Sequence, residues 1–129
     1  FVPLEELLRT SDIVSIHLRL VEATKNIIGK KEFDLMKPTA IFVNTARAGL
    51  VDQQALLEAL QSKRIRGACL DVFWEEPVPI DSPFLKMDNV TMTPHRAGVT
   101  TDIVPNTLNL MAQELSRFAK GADLKFLVK

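Results

Sequence analysis

The sequence predicts half of a doubly wound α/β domain, a parallel sheet with flanking helices, and three observations carry that reading. Short apolar, β-rich runs alternate with stretches of helical periodicity along the chain. The runs are nearly continuous in apolar residues rather than alternating with polar ones, as parallel strands covered on both faces require. Four such runs are present, which is half the complement of a full doubly wound sheet.

The elements follow in order. Pro3 at a first-turn position, then Leu4, Leu7 and Leu8, predicts a short amphipathic helix ending near Thr10, and residues 13–18 predict a buried strand. Residues 30–36 read as a second short helix closed by Pro38, and residues 40–44 as a second strand. Asp52 is a natural N-cap for a third helix, in which Ala55, Leu56, Leu57, Ala59 and Leu60 recur at helical spacing. Residues 67–72 and 90–93 are the third and fourth strands, and Pro77, Pro79 and Pro83 make the segment between them a loop. A long helix over residues 100–120 carries Leu108, Met111, Leu115 and Phe118 on one face and places Pro105 near its start, with the last residues trailing off. The expected division is residues 1–99 for the sheet domain and 100–129 for the long helix and tail.

Composition narrows the function classes. The 129 residues are 47% hydrophobic with 16 basic and 16 acidic side chains, so there is no charge excess to attract nucleic acid or an anionic membrane. Cys69 stands alone, which removes disulfides from the fold and favours a reducing, cytoplasmic setting. No basic leader precedes an apolar core, and no run approaches the roughly 20 apolar residues of a membrane span. No metal site is expected. The chain opens without Met and almost directly on a helix, as expected of a segment of a longer protein.

Chemistry concentrates after the strands. In open α/β sheets, residues beyond the carboxyl ends of the strands converge on one rim, where ligands bind. Arg47, Glu76 and His95 all follow strands, which sets an anion clamp, a carboxylate and a titratable imidazole on that rim. Taken singly, each has an ordinary reading: Arg47 as a solvated loop cation, Glu76 as one of two surface acids with Glu75, His95 as an exposed loop histidine. Their joint occurrence at strand ends weighs against those readings.

The words around these residues add a family. Ser11-Asp12-Ile13-Val14-Ser15-Ile16-His17-Leu18, Met36-Lys37-Pro38-Thr39-Ala40, Asn44-Thr45-Ala46-Arg47, Gly49-Leu50-Val51-Asp52, Gly67-Ala68-Cys69-Leu70-Asp71-Val72-Phe73, Glu76-Pro77 and Asn89-Val90-Thr91-Met92-Thr93-Pro94-His95 together resemble the D-isomer-specific 2-hydroxyacid dehydrogenases. The likeness runs from about Leu4 to the last helix. It implies the second half of a Rossmann-type nicotinamide-dinucleotide domain, plus a long helix crossing back to a substrate domain. It also implies an NAD or NADP cofactor, with NAD favoured, a small 2-hydroxy or 2-keto acid substrate, and a homodimer formed through the cofactor domain.

Chemistry and resemblance agree on roles. Arg47, planar and permanently charged, suits a bidentate hold on the carboxylate of a 2-hydroxy acid. His95 suits the acid/base group that takes the hydroxyl proton in oxidation and returns it in reduction. A carboxylate bonded to the imidazole orients the ring and stabilises its cationic form, and Glu76, five residues after Asp71 and followed by Pro77, matches the family position better than Glu75. On the cofactor side the resemblance implicates Thr45, Ala46 and Arg47 in the turn lining the nicotinamide, with His95 beside them. It places Asp71 near the carboxamide, where the residues alone permit a loop-capping Asp equally well, and Leu18, Arg19 and Thr24 in the turn after the first strand. Arg19 stands where many relatives carry Pro, and Ala48 where they carry Gly.

One part is missing. No Gly-x-Gly-x-x-Gly lies between a strand and a helix among Gly29, Gly49, Gly67, Gly98 and Gly121, so the pyrophosphate cradle must come from elsewhere. The segment alone is expected to be inactive. Two other functions fit the same fold, a dinucleotide-sensing protein like the corepressors that resemble this family and a dimerisation module. The intact Arg47, Glu76 and His95 set favours the dehydrogenase. The choice among 2-keto acids rests mostly with groups outside this chain, with Trp74, Arg96 and Val99 near the rim as candidate contributors.

Overall fold

A computed structural model describes residues 1–126. Its elements are α1 (Leu4–Thr10), β1 (Ile13–Ile16), α2 (Lys30–Leu35), β2 (Ile41–Asn44), α3 (Gln53–Gln61), β3 (Gly67–Leu70), β4 (Val90–Met92) and α4 (Ile103–Ala119), with short 3-10 turns at Glu22–Thr24, Ala48–Leu50 and Pro83–Lys86. The chain forms two compact units, Phe1–Ala97 and Gly98–Lys129.

In the first unit the four strands are parallel and lie in chain order. Ile13 pairs with Ile41, Ile41 with Gly67, and Ala68 with Val90, so the carboxyl ends of all four strands reach the same edge. β1, β3 and β4 are shorter than their apolar runs, because Leu18, Asp71 and Thr93 already belong to the loops that leave the sheet.

Burial is one-sided within this unit. Val14, Ile16, Phe42, Ala68 and Leu70 join Leu8 of α1, Phe33 of α2 and Leu56 and Leu60 of α3 in one core. Phe33 and Phe42 meet edge to face, their ring centroids 5.4 Å apart. The opposite face, with Ile13 64% exposed and Ile41, Val43 and Cys69 half-buried, is not sealed by α1 to α3. This corrects the expectation of a sheet covered on both faces. Successive crossovers of one hand in one direction stack their helices on a single side, and α1 accordingly packs on α2 and α2 on α3.

The capping reading of Asp52 holds: its side chain accepts a hydrogen bond from the Ala55 N–H at 2.8 Å. In the second unit α4 begins at Ile103, three residues later than the pattern predicts, with Pro105 at the third helical position, where a missing N–H leaves no intrahelical bond unmade. The trailing end expected after α4 lies partly outside the described residues.

Gly67 opens β3 where a Cβ would stand 2.5 Å from the Asn89 backbone oxygen, and Ala68 N–H donates to that same oxygen at 3.0 Å. The close approach of β4 to β3 therefore requires glycine. Gly67→Ala is expected to lower stability by about 1–3 kcal/mol through a forced backbone shift, read as a lower urea midpoint. An unchanged midpoint would show that β4 tolerates displacement.

Candidate active site

Arg47, Glu76 and His95 follow β2, β3 and β4 respectively, so they rise from three neighbouring strands at the same edge of the sheet. Arg47 and His95 leave strands two apart, roughly 10 Å at the usual strand spacing.

Glu76 and His95 are in direct contact. His95 Nδ1 lies 2.8 Å from Glu76 Oε2. An ionised carboxylate can only accept, so Nδ1 carries the proton and donates, leaving Nε2 as the atom that gains or loses one. The other carboxylate oxygen, Oε1, accepts from the Phe73 N–H at 2.9 Å, so Glu76 is held at both ends. The hydrogen bond from His95, reinforced by the Phe73 N–H, keeps the Glu76 carboxyl below the usual carboxylate range. Glu75, the alternative the sequence leaves open, lines a neighbouring hollow with Phe73 and Trp74 instead.

The loop bearing His95 is strained and tightly held. His95 adopts φ 52°, a left-handed conformation that costs a non-glycine residue about 1–2 kcal/mol. Asp71, just beyond β3, holds it there. Its Oδ1 accepts from Thr93 Oγ1 at 2.5 Å and from the Arg96 N–H at 2.8 Å, and its Oδ2 accepts from the Ala97 N–H at 2.8 Å. Asp71 is only 3% exposed; burial pushes its carboxyl up, but the bonds from Thr93, Ala97 and Arg96 outweigh that and hold it below the ordinary aspartate value. The capping role that the residues alone allowed for Asp71 is thus what its side chain does.

Arg47 is exposed on the turn after β2, its Nη1 folded back to the Ala46 carbonyl oxygen at 2.6 Å. Among the described residues it forms no ion pair. It shares a hollow of about 440 Å³ with His17, Leu18, Arg19, Leu20 and Ala46, whereas Glu76 and His95 line a largely apolar one of about 590 Å³ with Phe73, Pro77, Val78 and Met92. Leu18, Arg19, Ala46 and Arg47 are therefore brought together. Thr24 is engaged within its own turn: its hydroxyl donates to the Arg19 carbonyl oxygen at 2.7 Å and accepts from the Val21 N–H at 2.9 Å. Thr45 is exposed on the turn between Asn44 and Ala46.

Sequence reasoning missed three supporting residues. Asn44 bonds the Arg47 turn through its amide, Thr93 donates to Asp71, and Trp74 Nε1–H donates to the Val51 carbonyl oxygen at 3.1 Å while its ring stacks on Phe84. For Asn44 and Thr93 the signal available was position alone, a short polar residue where an apolar strand ends, which also describes any ordinary loop start.

Comparison with known proteins identifies the family and the fold. Residues 1–97 match the family described as "D-isomer specific 2-hydroxyacid dehydrogenase, NAD binding domain". A glyoxylate reductase of Korarchaeum cryptofilum is 46% identical over 121 residues, covering 94% of this chain and 36% of the relative. The D-mandelate dehydrogenase of Rhodotorula graminis superposes with TM-score 0.91 at 34% identity, over 100% of this chain and 37% of that one. The NAD complex of a D-isomer specific 2-hydroxyacid dehydrogenase from Lactobacillus delbrueckii superposes with TM-score 0.87 at 33% identity, over 97% and 42%. The chain thus spans about a third of the length of the curated relatives it matches.

Because the native Asp71 carboxyl binds protons less readily than the unfolded one, acidification protonates the unfolded chain first and favours it. Stability from this group is present above the ordinary aspartate value of about 3.8 and is lost as pH falls through the lower native value. Urea unfolding across that window is expected to show the loss, and Asp71→Asn to be less stable at neutral pH with a flatter acid decline. An equally steep decline in Asp71→Asn would assign the acid sensitivity to other carboxylates.

Proposed function

The chain belongs to the NAD-binding domain family of the D-isomer specific 2-hydroxyacid dehydrogenases, and from that premise we propose that it supplies the nicotinamide side of an enzyme interconverting a D-2-hydroxy acid and its 2-keto acid. The observation that carries the reading is the 2.8 Å contact of His95 Nδ1 with Glu76 Oε2, a base held by a third group, at the carboxyl edge of a parallel sheet.

His95 moves the substrate proton at Nε2, taking it from the hydroxyl in oxidation and returning it to the carbonyl oxygen in reduction. Glu76 keeps Nδ1–H engaged and balances the imidazolium charge. Arg47 holds the substrate carboxylate, a role supported by its exposure and its lack of an ion pair among the described residues. The nicotinamide, when bound, supplies or accepts the hydride. The hollow walled by Leu18, Arg19, Ala46 and Arg47 fits that end of a dinucleotide, with Thr24 and Thr45 shaping its turns and Asp71 setting the loop that carries His95. NAD is favoured on the family's description.

No glycine-rich phosphate loop is present, so the pyrophosphate is gripped by other parts of a longer polypeptide. Residues 1–99 then form the second half of the cofactor domain, and 100–129 the long helix and tail returning toward the substrate domain. The working unit is a cytoplasmic homodimer. The intact Glu76 and His95 pair favours catalysis over a dinucleotide sensor, which needs no proton-transfer group.

In the complete enzyme carrying this segment, His95→Ala is expected to lower kcat for reduction of a 2-keto acid by about 10²–10⁴, followed as loss of NADH absorbance. Reduction requires the protonated imidazole and oxidation the neutral one. Unchanged rates in both directions for His95→Ala would end the assignment. The 129-residue chain alone should give no turnover; measurable turnover would refute the shared-site reading.

A further inference from the structure

Resting on the reading of Arg47 as the substrate's anion clamp, we propose that Asn44 is the residue that positions it. Among the described residues only two polar or charged side chains are buried, Asp71 and Asn44, and the mechanism above gives Asn44 no task. It is the last residue of β2 and 1% exposed. Its Nδ2–H donates to the Arg47 carbonyl oxygen at 3.0 Å and its Oδ1 accepts from the Ala46 N–H at 3.0 Å.

One planar amide therefore pins the turn at two points, the Ala46 N–H and the Arg47 carbonyl oxygen. A carboxylate could accept from Ala46 but not donate to Arg47, and an apolar side chain could do neither. Were the position only a piece of core, an aliphatic residue would fill it without the cost of taking an amide out of water. The side chain of Arg47 is caught up in the same arrangement, since its Nη1 rests on the carbonyl of Ala46, whose N–H Asn44 holds. The main chain of Asn44 meanwhile stays in the sheet, its carbonyl oxygen accepting from the Asp71 N–H at 3.0 Å. The strand thus supplies a rigid base and the side chain sets where the guanidinium starts. Asn44 is buried away from substrate and acts through Arg47, as a positioning residue.

The test uses the complete enzyme with a 2-keto acid and NADH. Asn44→Ala is expected to raise the KM for the keto acid about ten- to a hundredfold, the scale of a small misplacement in an active site, while the pH profile of kcat stays as in the wild type. Asn44→Asp should fall between. Adding Asn44→Ala to Arg47→Ala should cause no further rise. If Arg47→Ala raises the KM but Asn44→Ala does not, or if their effects add in full, the positioning role is overturned while the Arg47 reading stands. If Arg47→Ala leaves the KM unchanged, that reading fails and the proposal falls with it. Hydrogen exchange in the wild-type enzyme keeps the proposal open to refutation even where a variant fails to fold: the Ala46 amide should be protected, and exchange at the rate of an unstructured peptide overturns the role.

Discussion

The hydrogen bond from the Asp71 N–H to the Asn44 carbonyl oxygen, 3.0 Å long, is the joint on which the site is built. It continues the β2 to β3 ladder one step past the last strand residues, to the point where both chains turn away from the sheet. The backbones are locked together there, and the two side chains are left free to reach in opposite directions. Asn44 reaches toward the loop of the cation and Asp71 toward the loop of the imidazole. Two loops that never bond each other directly thus share one origin, and the distance between their functional groups is inherited from strand spacing rather than from loop chemistry.

Much of this was legible in the sequence, for identifiable reasons. The apolar runs at 40–44 and 67–72 announced buried strands because nothing else tolerates such density, and Asp52 announced a helix start because its carboxylate satisfies an N–H that the helix leaves open. Glu76 could be preferred to Glu75 by spacing, and geometry agrees, since only Glu76 reaches both Phe73 N–H and His95 Nδ1. What escaped were features set by partners far along the chain. That Asp71 binds the amides of residues 96 and 97, some 25 positions away, leaves no trace in local pattern. The one-sided burial escaped for a similar reason: apolar density along a strand records that a face is covered in the protein's working form, not which segment covers it. The 3-10 turns after β1 and β2 escaped because three residues carry too little periodicity to register.

The left-handed backbone of His95 and the buried carboxylate of Asp71 belong to one design. A histidine held in an unfavoured conformation must be compensated by its surroundings, and the compensation comes from a group able to accept several N–H and O–H donors at once. An acceptor of that kind is good only while ionised. The same carboxylate therefore ties the shape of the loop that carries His95 to its own ionisation.

Glu76 divides its two oxygens between the imidazole and the backbone of Phe73, the residue before Trp74. Trp74 is the only tryptophan in the chain, stacked on Phe84 and hydrogen-bonded to Val51 at the N-terminal side of α3. A run of direct contacts thus leads from the imidazole through the Glu76 carboxylate to the Phe73 main chain and its neighbouring indole. With no tyrosine in the chain, that indole is the sole source of long-wavelength ultraviolet emission, and it sits beside the loop corner that Glu76 holds.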